Sequence, residues 1–128
     1  MKTVFRMFAV ALLSFAGWAS AGEVKPYSQT EFDALAAKGK PTVIAVHAPW
    51  CPTCRVQSPI QSGLMSNPAY KDFTLFIVDF DTAKPLLRKL KVSSQSTMIV
   101  FKGATEVGRS VGDTSPEGIE ALIRKAKA

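Results

Sequence analysis

Cys51 and Cys54 are the only cysteines in the 128-residue chain, and they stand three positions apart in the stretch Trp50-Cys51-Pro52-Thr53-Cys54-Arg55. Two thiols at this spacing serve one of three chemistries. The first is a structural staple. Closing so small a ring removes little freedom from the unfolded chain, about 2 kcal/mol against ~4.7 kcal/mol for a 100-residue loop, so a staple is a weak use of the pair. The second is half of a metal site. A closed zinc site takes four ligands, and the single histidine, His47, is the one further ligand nearby. No metal set is assigned within one chain, although a metal or iron–sulfur cluster shared between two chains stays open. The third is reversible thiol–disulfide exchange, which needs no cofactor, and the surrounding elements favour it.

Residues 42–46, Thr-Val-Ile-Ala-Val, form a continuous β-branched apolar run that reads as a strand buried on both faces. Pro52 sits where a first helical turn begins, since its missing N–H is an orphan there anyway. A helix is expected over residues 52–65, with Val56, Ile60 and Leu64 on one stripe. Cys51 then falls directly between a buried strand and a helix N-terminus. Free N–H groups and the positive end of the dipole lower a thiol pKa there, and the thiolate is the attacking species. Cys54, one turn deeper, is placed to attack a mixed disulfide and release the substrate.

Further along, residues 73–78 and 97–101 read as two more buried strands, and residues 106–111 as a weaker edge strand interrupted by Gly108. Lys102-Gly103 reads as the turn between the last two. Capping boxes at Ser28-x-x-Glu31 and Thr114-x-x-Glu117 open the first and last helices. Residues 67–72 read as a loop, residues 82–91 as a short helix whose start Asp81 caps, and residues 25–28 as a flexible lead-in. The order is α-β-α-β-α-β-β-α, an α/β sheet covered on both sides. Lys84, Arg88, Lys89 and Lys91 read as a solvated helix face.

The N-terminus has another character. Lys2 and Arg6 precede an uncharged apolar stretch, residues 7–18, and Ala19-Ser20-Ala21 supplies small residues. This is the three-part pattern of a secretory signal, with cleavage expected after Ala21; residues 7–21 are too short for the ~20 that a spanning helix needs. The expected organisation is a cleaved signal, residues 1–21, and one domain, residues 22–128, periplasmic, monomeric and without stable membrane insertion after cleavage. Losing Lys2 and Arg6 takes the net charge from +6 to +4, which makes no case for nucleic acid as a partner. Export places both thiols in an oxidising compartment, where disulfides persist unless something reduces them.

Residues 48–59, Ala-Pro-Trp-Cys-Pro-Thr-Cys-Arg-Val-Gln-Ser-Pro, resemble the thioredoxin active site: Trp before the first Cys, two residues between, a basic residue after the second, and Pro59 five positions beyond it. Asp81, the residues 98–101, the Lys102-Gly103 turn, Gly112 and the terminal helix also fall at thioredoxin-like offsets, so the resemblance covers nearly all of residues 27–128. It implies a thioredoxin-like fold, a central mixed β-sheet flanked by helices on both faces. It implies protein-disulfide oxidoreductase activity on the thiols and disulfides of exported proteins, recharged by a redox partner protein that the sequence does not identify. It also implies that Trp50, Gln95, Ser96 and Thr97 face substrate, and that Pro52 and Thr53 tune the potential.

Two departures stand out. The family's buried Asp, six positions before the first Cys, is Ala45 here. His47, at the end of the same strand, is the candidate to take over as base, with water as the alternative. The family's cis-proline before the third buried strand is Ser96. A cis bond before a non-proline residue costs ~2.5–4 kcal/mol, so a trans peptide and a differently shaped loop are expected. Two further uses of the fold stay open: a metal- or cluster-binding module, and a partner-binding protein without turnover.

Overall fold

The computed structural model describes residues 20–127. The proposed leader therefore lies outside the described residues except for Ser20 and Ala21. Five strands form one sheet in the order β1-β3-β2-β4-β5: β1 is Glu23–Pro26, β2 Pro41–His47, β3 Thr74–Asp79, β4 Thr97–Lys102 and β5 Thr105–Val111. The first three pair in parallel; β4 and β5 run antiparallel. Four helices complete the fold: α1 Gln29–Ala37, α2 Pro52–Ser66, α3 Lys84–Lys89 and α4 Pro116–Arg124.

Strand β2 is central, and its side chains divide by the two-residue period of a strand. Val43 and Ala45 enter one core with Met65 of α2, Leu75, Met98, Val100, and Ile119 and Ile123 of α4. Ile44 and Val46 enter the other with Val78, Leu87 of α3, Ile99 and Phe101, against which Phe32 of α1 packs. A run that is apolar at every position is what two covered faces require. At roughly 1.5–3 kcal/mol for each fully buried aliphatic side chain, this strand contributes more to burial than any surface ion pair.

Residues 25–28 are not a flexible lead-in. Lys25 and Pro26 belong to β1, which pairs with β3 along Glu23–Thr74 to Pro26–Ile77. Only one of its four residues is even half-buried, so hydrophobic alternation does not announce it. It is held instead by backbone bonds, Gly22 N–H to Met65 O at 2.7 Å and Tyr27 N–H to Ile77 O at 3.0 Å. Lys25 also pairs with Glu23 at 2.8 Å and Glu31 at 2.9 Å. A Cβ on Gly22 would stand 2.6 Å from Tyr70 O and 3.0 Å from Phe73 O, so only glycine lets the chain pass there without displacing backbone.

Other boundaries move for local reasons. Ser28 caps α1 as expected, accepting from Glu31 N–H at 3.3 Å. The cap of α4 is Ser115, not Thr114: Ser115 Oγ accepts from Gly118 N–H at 3.0 Å while its own N–H is held by Asp113 Oδ1 at 2.8 Å. Residues 67–72 hold a 3₁₀ turn, Pro68–Tyr70, capped by Asn67 Oδ1 on Ala69 N–H. Tyr70 is buried there and donates to Glu120 of α4 at 2.7 Å; burial first, then that carboxylate, pushes its hydroxyl pKa up to about 12. The β4–β5 turn is Gly103-Ala104, with Gly103 at φ +61° as the first central residue of a two-residue hairpin. Gly108 in β5 leaves room for Leu122 of α4, whose Cδ1 would lie 2.8 Å from an added Cβ.

Candidate active site

Cys51 leaves the loop after β2 in extended conformation (φ −84°, ψ 113°) and is itself the N-cap of α2. Its Sγ accepts the N–H of Cys54 at 3.2 Å, the bond that a Ser or Asp oxygen makes at an ordinary N-cap. Pro52 occupies the first helical turn, as its fixed φ favours. Cys54 lies beneath, 3.9 Å from Val46 O of the central strand. Both cysteines are 1% exposed and cluster with Ala48, with Phe80 packed against them.

Ser96 stands between the two sulfurs. Its Oγ is 3.1 Å from Cys51 Sγ and 3.1 Å from Cys54 Sγ, and the residue is buried. Peptide bonds among the described residues are all trans, and Ser96 instead takes φ +63°, a region that few non-glycine residues adopt. The conformation is held from every side. Its N–H donates to Val46 O at 2.9 Å, and its carbonyl accepts from Gly112 N–H at 3.1 Å and from Gln57 Nε2 at 3.2 Å. Thr97, buried next to it, donates its hydroxyl to Ser94 O at 2.7 Å. Gln95 is half-buried in the same loop.

Burial pushes the Cys51 thiol up, but hydrogen bonds from the Cys54 thiol, the Ser96 hydroxyl and the N–H groups of Cys54 and Thr53 outweigh it and hold the thiol below its ordinary value. Thr53 thus acts through its backbone. The pH dependence of Cys51 alkylation in the reduced protein should accordingly have its midpoint below the ~8.5 of a free cysteine. A midpoint at or above that value would contradict this geometry. The sign for stability follows: with its folded pKa depressed, Cys51 stabilises the reduced fold above the unfolded thiol's pKa, and this contribution is lost as pH falls through the folded one.

Trp50 is a surface residue, 54% exposed. Its Nε1 donates to Asp81 Oδ2 at 2.9 Å, and its ring stands edge-on to Phe80 with centroids 6.5 Å apart. Asp81 therefore positions the tryptophan and does not cap α3, whose N-cap is Ala83 without a side-chain bond. Lys84 sits 4.0 Å over the Phe80 ring, while Arg88, Lys89 and Lys91 are exposed as expected.

His47 ends β2 opposite Asp79 and accepts Phe80 N–H through its carbonyl. Among the described residues no hydrogen bond joins its imidazole to either sulfur, so the structure does not bring the expected base into contact with the thiols. Also among the described residues, no cluster of three or more His, Cys, Asp or Glu side chains is arranged to hold a metal ion.

Gln57 is a functional neighbour that sequence reasoning missed. The buried face of α2 carries Cys54, Gln57, Gln61 and Met65, while Val56 is half exposed. Gln57 Nε2 donates to Ser96 O and, at 2.8 Å, to Asp113 O, tying the Ser96 loop and the β5–α4 connection to the cysteine helix. Gln57→Ala should destabilise the protein by roughly 2 kcal/mol, because it removes one buried and one part-buried bond and takes the Gln57 donor from Asp113 O. Urea denaturation checks this, and a loss below about 0.5 kcal/mol would show the clamp to be idle.

The thioredoxin family model matches residues 23–125. The chain belongs to the thioredoxin family. Thioredoxin from Coprinus comatus is 32% identical over 98 residues, spanning 77% of this chain and 92% of that one. Thioredoxin-2 of Saccharomyces cerevisiae is 34% identical over 97 residues, with 75% and 90% covered. The crystal structure of Trxlp from Edwardsiella tarda superposes with a TM-score of 0.75 at 40% identity, covering 78% of this chain and 97% of that one. The mixed five-stranded sheet with helices on both faces is thus a thioredoxin fold, and the chain is a thioredoxin-type protein-disulfide oxidoreductase carrying the Cys51/Cys54 pair.

Proposed function

We propose that this protein is an exported, periplasmic disulfide reductase in which Cys51 attacks and Cys54 resolves. One observation carries the assignment of roles: Cys51, not Cys54, is the N-cap sulfur that receives a helix N–H. The Cys51 thiolate attacks a substrate disulfide, forming one S–S bond and releasing one substrate thiol. Cys54 then attacks Cys51 Sγ, releases the second thiol and leaves a Cys51–Cys54 disulfide. Two electrons have passed from the pair to the substrate, and a redox partner protein must return them. The exchange runs on sulfur alone, without a cofactor. Trp50 and the loop of Gln95, Ser96 and Thr97 border the sulfurs on the side where a substrate chain docks.

Export is supported by the charged, apolar and small-residue segments of residues 1–21, which precede the family domain that begins at residue 23. After cleavage the protein works as a soluble monomer on exported proteins. Thiol trapping in intact cells, followed by fractionation, tests the reading. The expected result is a mostly reduced pair in the periplasmic fraction on a chain that starts at Gly22. A cytoplasmic protein that retains residues 1–21 would defeat the location, and a mostly oxidised pair would defeat the reductant role. The potential should fall between about −270 and −120 mV, the span from strong reductants to strong oxidants in this chemistry.

A further inference from the structure

Resolution poses a proton problem. Cys54 must shed a proton to attack, and the departing substrate sulfur must gain one. Cys54 is 1% exposed, so bulk water does not reach it. The charged groups on the surrounding elements are engaged elsewhere. Asp81 holds Trp50, Asp113 holds the Ser115 N–H, Asp79 holds the Asp81 N–H and Arg55 donates to Pro49 O. His47 makes no bond to either sulfur, and Ala45, buried in the core with Met65 and Met98, offers no titratable group.

Among the described residues one polar side chain touches both sulfurs, that of Ser96, at 3.1 Å from each. We infer that Ser96 Oγ is a catalytic proton relay between Cys54 and the sulfur that leaves Cys51, an inference that rests on the dithiol exchange proposed above. A hydroxyl suits the task because it carries one donor and two acceptor lone pairs. In the reduced protein Ser96 Oγ–H donates to the Cys51 thiolate, while the Cys54 sulfur lies 3.1 Å from the same oxygen, within reach of its lone pairs. Once Cys51 is tied up in a mixed disulfide it is no longer an anion, and the hydroxyl turns to the substrate sulfur. Cys54 Sγ then attacks Cys51 Sγ. Its proton passes to Ser96 Oγ as the serine's own proton passes to the departing substrate thiolate. One S–S bond forms, one breaks, and the serine ends as it began. The bonds of the Ser96 N–H to Val46 O, and of its carbonyl to Gly112 N–H and Gln57 Nε2, fix the residue in place, which gives the unusual φ a purpose.

The test uses Ser96→Gly, which removes the hydroxyl yet accepts φ +63° without strain. Reduced protein is mixed with 2-hydroxyethyl disulfide, quenched in acid and weighed by mass spectrometry, which separates the Cys51 mixed disulfide from the closed pair. The mixed disulfide should persist about 100-fold longer in Ser96→Gly at neutral pH. The difference should shrink as the pH is raised, because hydroxide becomes an alternative acceptor for the thiol proton. A parent-like lifetime at neutral pH, or a slowing that is equal at all pH values, overturns the relay while leaving the exchange intact. Absence of any mixed or closed disulfide in the parent would sink both. Should the variant fail to fold, resolution in the parent in mixtures of light and heavy water decides. A rate that bends with deuterium fraction reports two protons moving together, and a straight line overturns the relay.

Discussion

Cys51→Ser is expected to bring disulfide reduction down to the uncatalysed background, a loss of at least about a thousandfold, in a protein that is still folded. Serine cannot form the mixed disulfide, and at neutral pH its hydroxyl offers no anion comparable to a thiolate. Folding should survive because serine is a preferred N-cap, able to accept the Cys54 N–H that Cys51 Sγ accepts at 3.2 Å. Cys54→Ser should fail differently. Its first step remains, its second has no sulfur, and substrate accumulates as a covalent adduct on Cys51. Mass spectrometry of the two variants after exposure to a disulfide substrate distinguishes them: no adduct on the first, a stoichiometric one on the second. An adduct that instead gathers on Cys54 in Cys51→Ser would reverse the roles assigned to the two sulfurs.

Ser96→Pro is the second large effect, and its direction is unexpected from family comparison alone. Proline is the residue thioredoxins keep here, so the substitution reads as a repair. In this loop it should destabilise the protein by on the order of 3 kcal/mol. Proline fixes φ near −65°, whereas Ser96 sits at +63°. Proline also removes the N–H that donates to Val46 O at 2.9 Å and leaves that carbonyl unpaired in a buried site. Accommodating it would require the loop to be rebuilt, along with the Gln57 and Gly112 bonds that depend on its present course. Urea midpoints of the two reduced proteins measure the effect. A variant as stable as its parent would mean that the loop changes shape freely.

The parts of this molecule that were legible in the sequence are those where one physical signal dominates. Strands β2, β3 and β4 are continuous apolar runs because both faces are covered, and the Ser28 box reads directly as a helix start. The cysteine pair was legible because a strand, a thiol, a helix-starting proline and a second thiol in that order leave few other uses. Strand β1 was not, since its stability comes from backbone pairing at an edge and its side chains are polar. The stripe expected on α2 was right in part: Ile60 and Leu64 pack against the core, but Val56 is half exposed and the most buried face was not read. Gln57 and Gln61 occupy it, and Gln57 is there to hold neighbouring carbonyls, which hydrophobic periodicity cannot register. Ser96 was noticed as a missing proline and a substrate-facing loop residue, not as a partner of the sulfurs. That its hydroxyl spans both sulfurs depends on a left-handed backbone angle set by contacts with Val46, Gln57 and Gly112, none of them near it in sequence.

The clamp of Trp50 by Asp81 has an optical consequence. The chain has two tryptophans, Trp18 in the proposed leader and Trp50 beside Cys51. With the proposed cleavage after Ala21, the tryptophan emission of the protein would come from a single indole next to the redox pair. That indole is pinned at its nitrogen by a carboxylate and flanked by Phe80, the ring that packs on the two cysteines. The protein thus carries its own reporter: oxidation of the pair changes the surroundings of the one chromophore excited near 295 nm, and turnover can be followed without any added label.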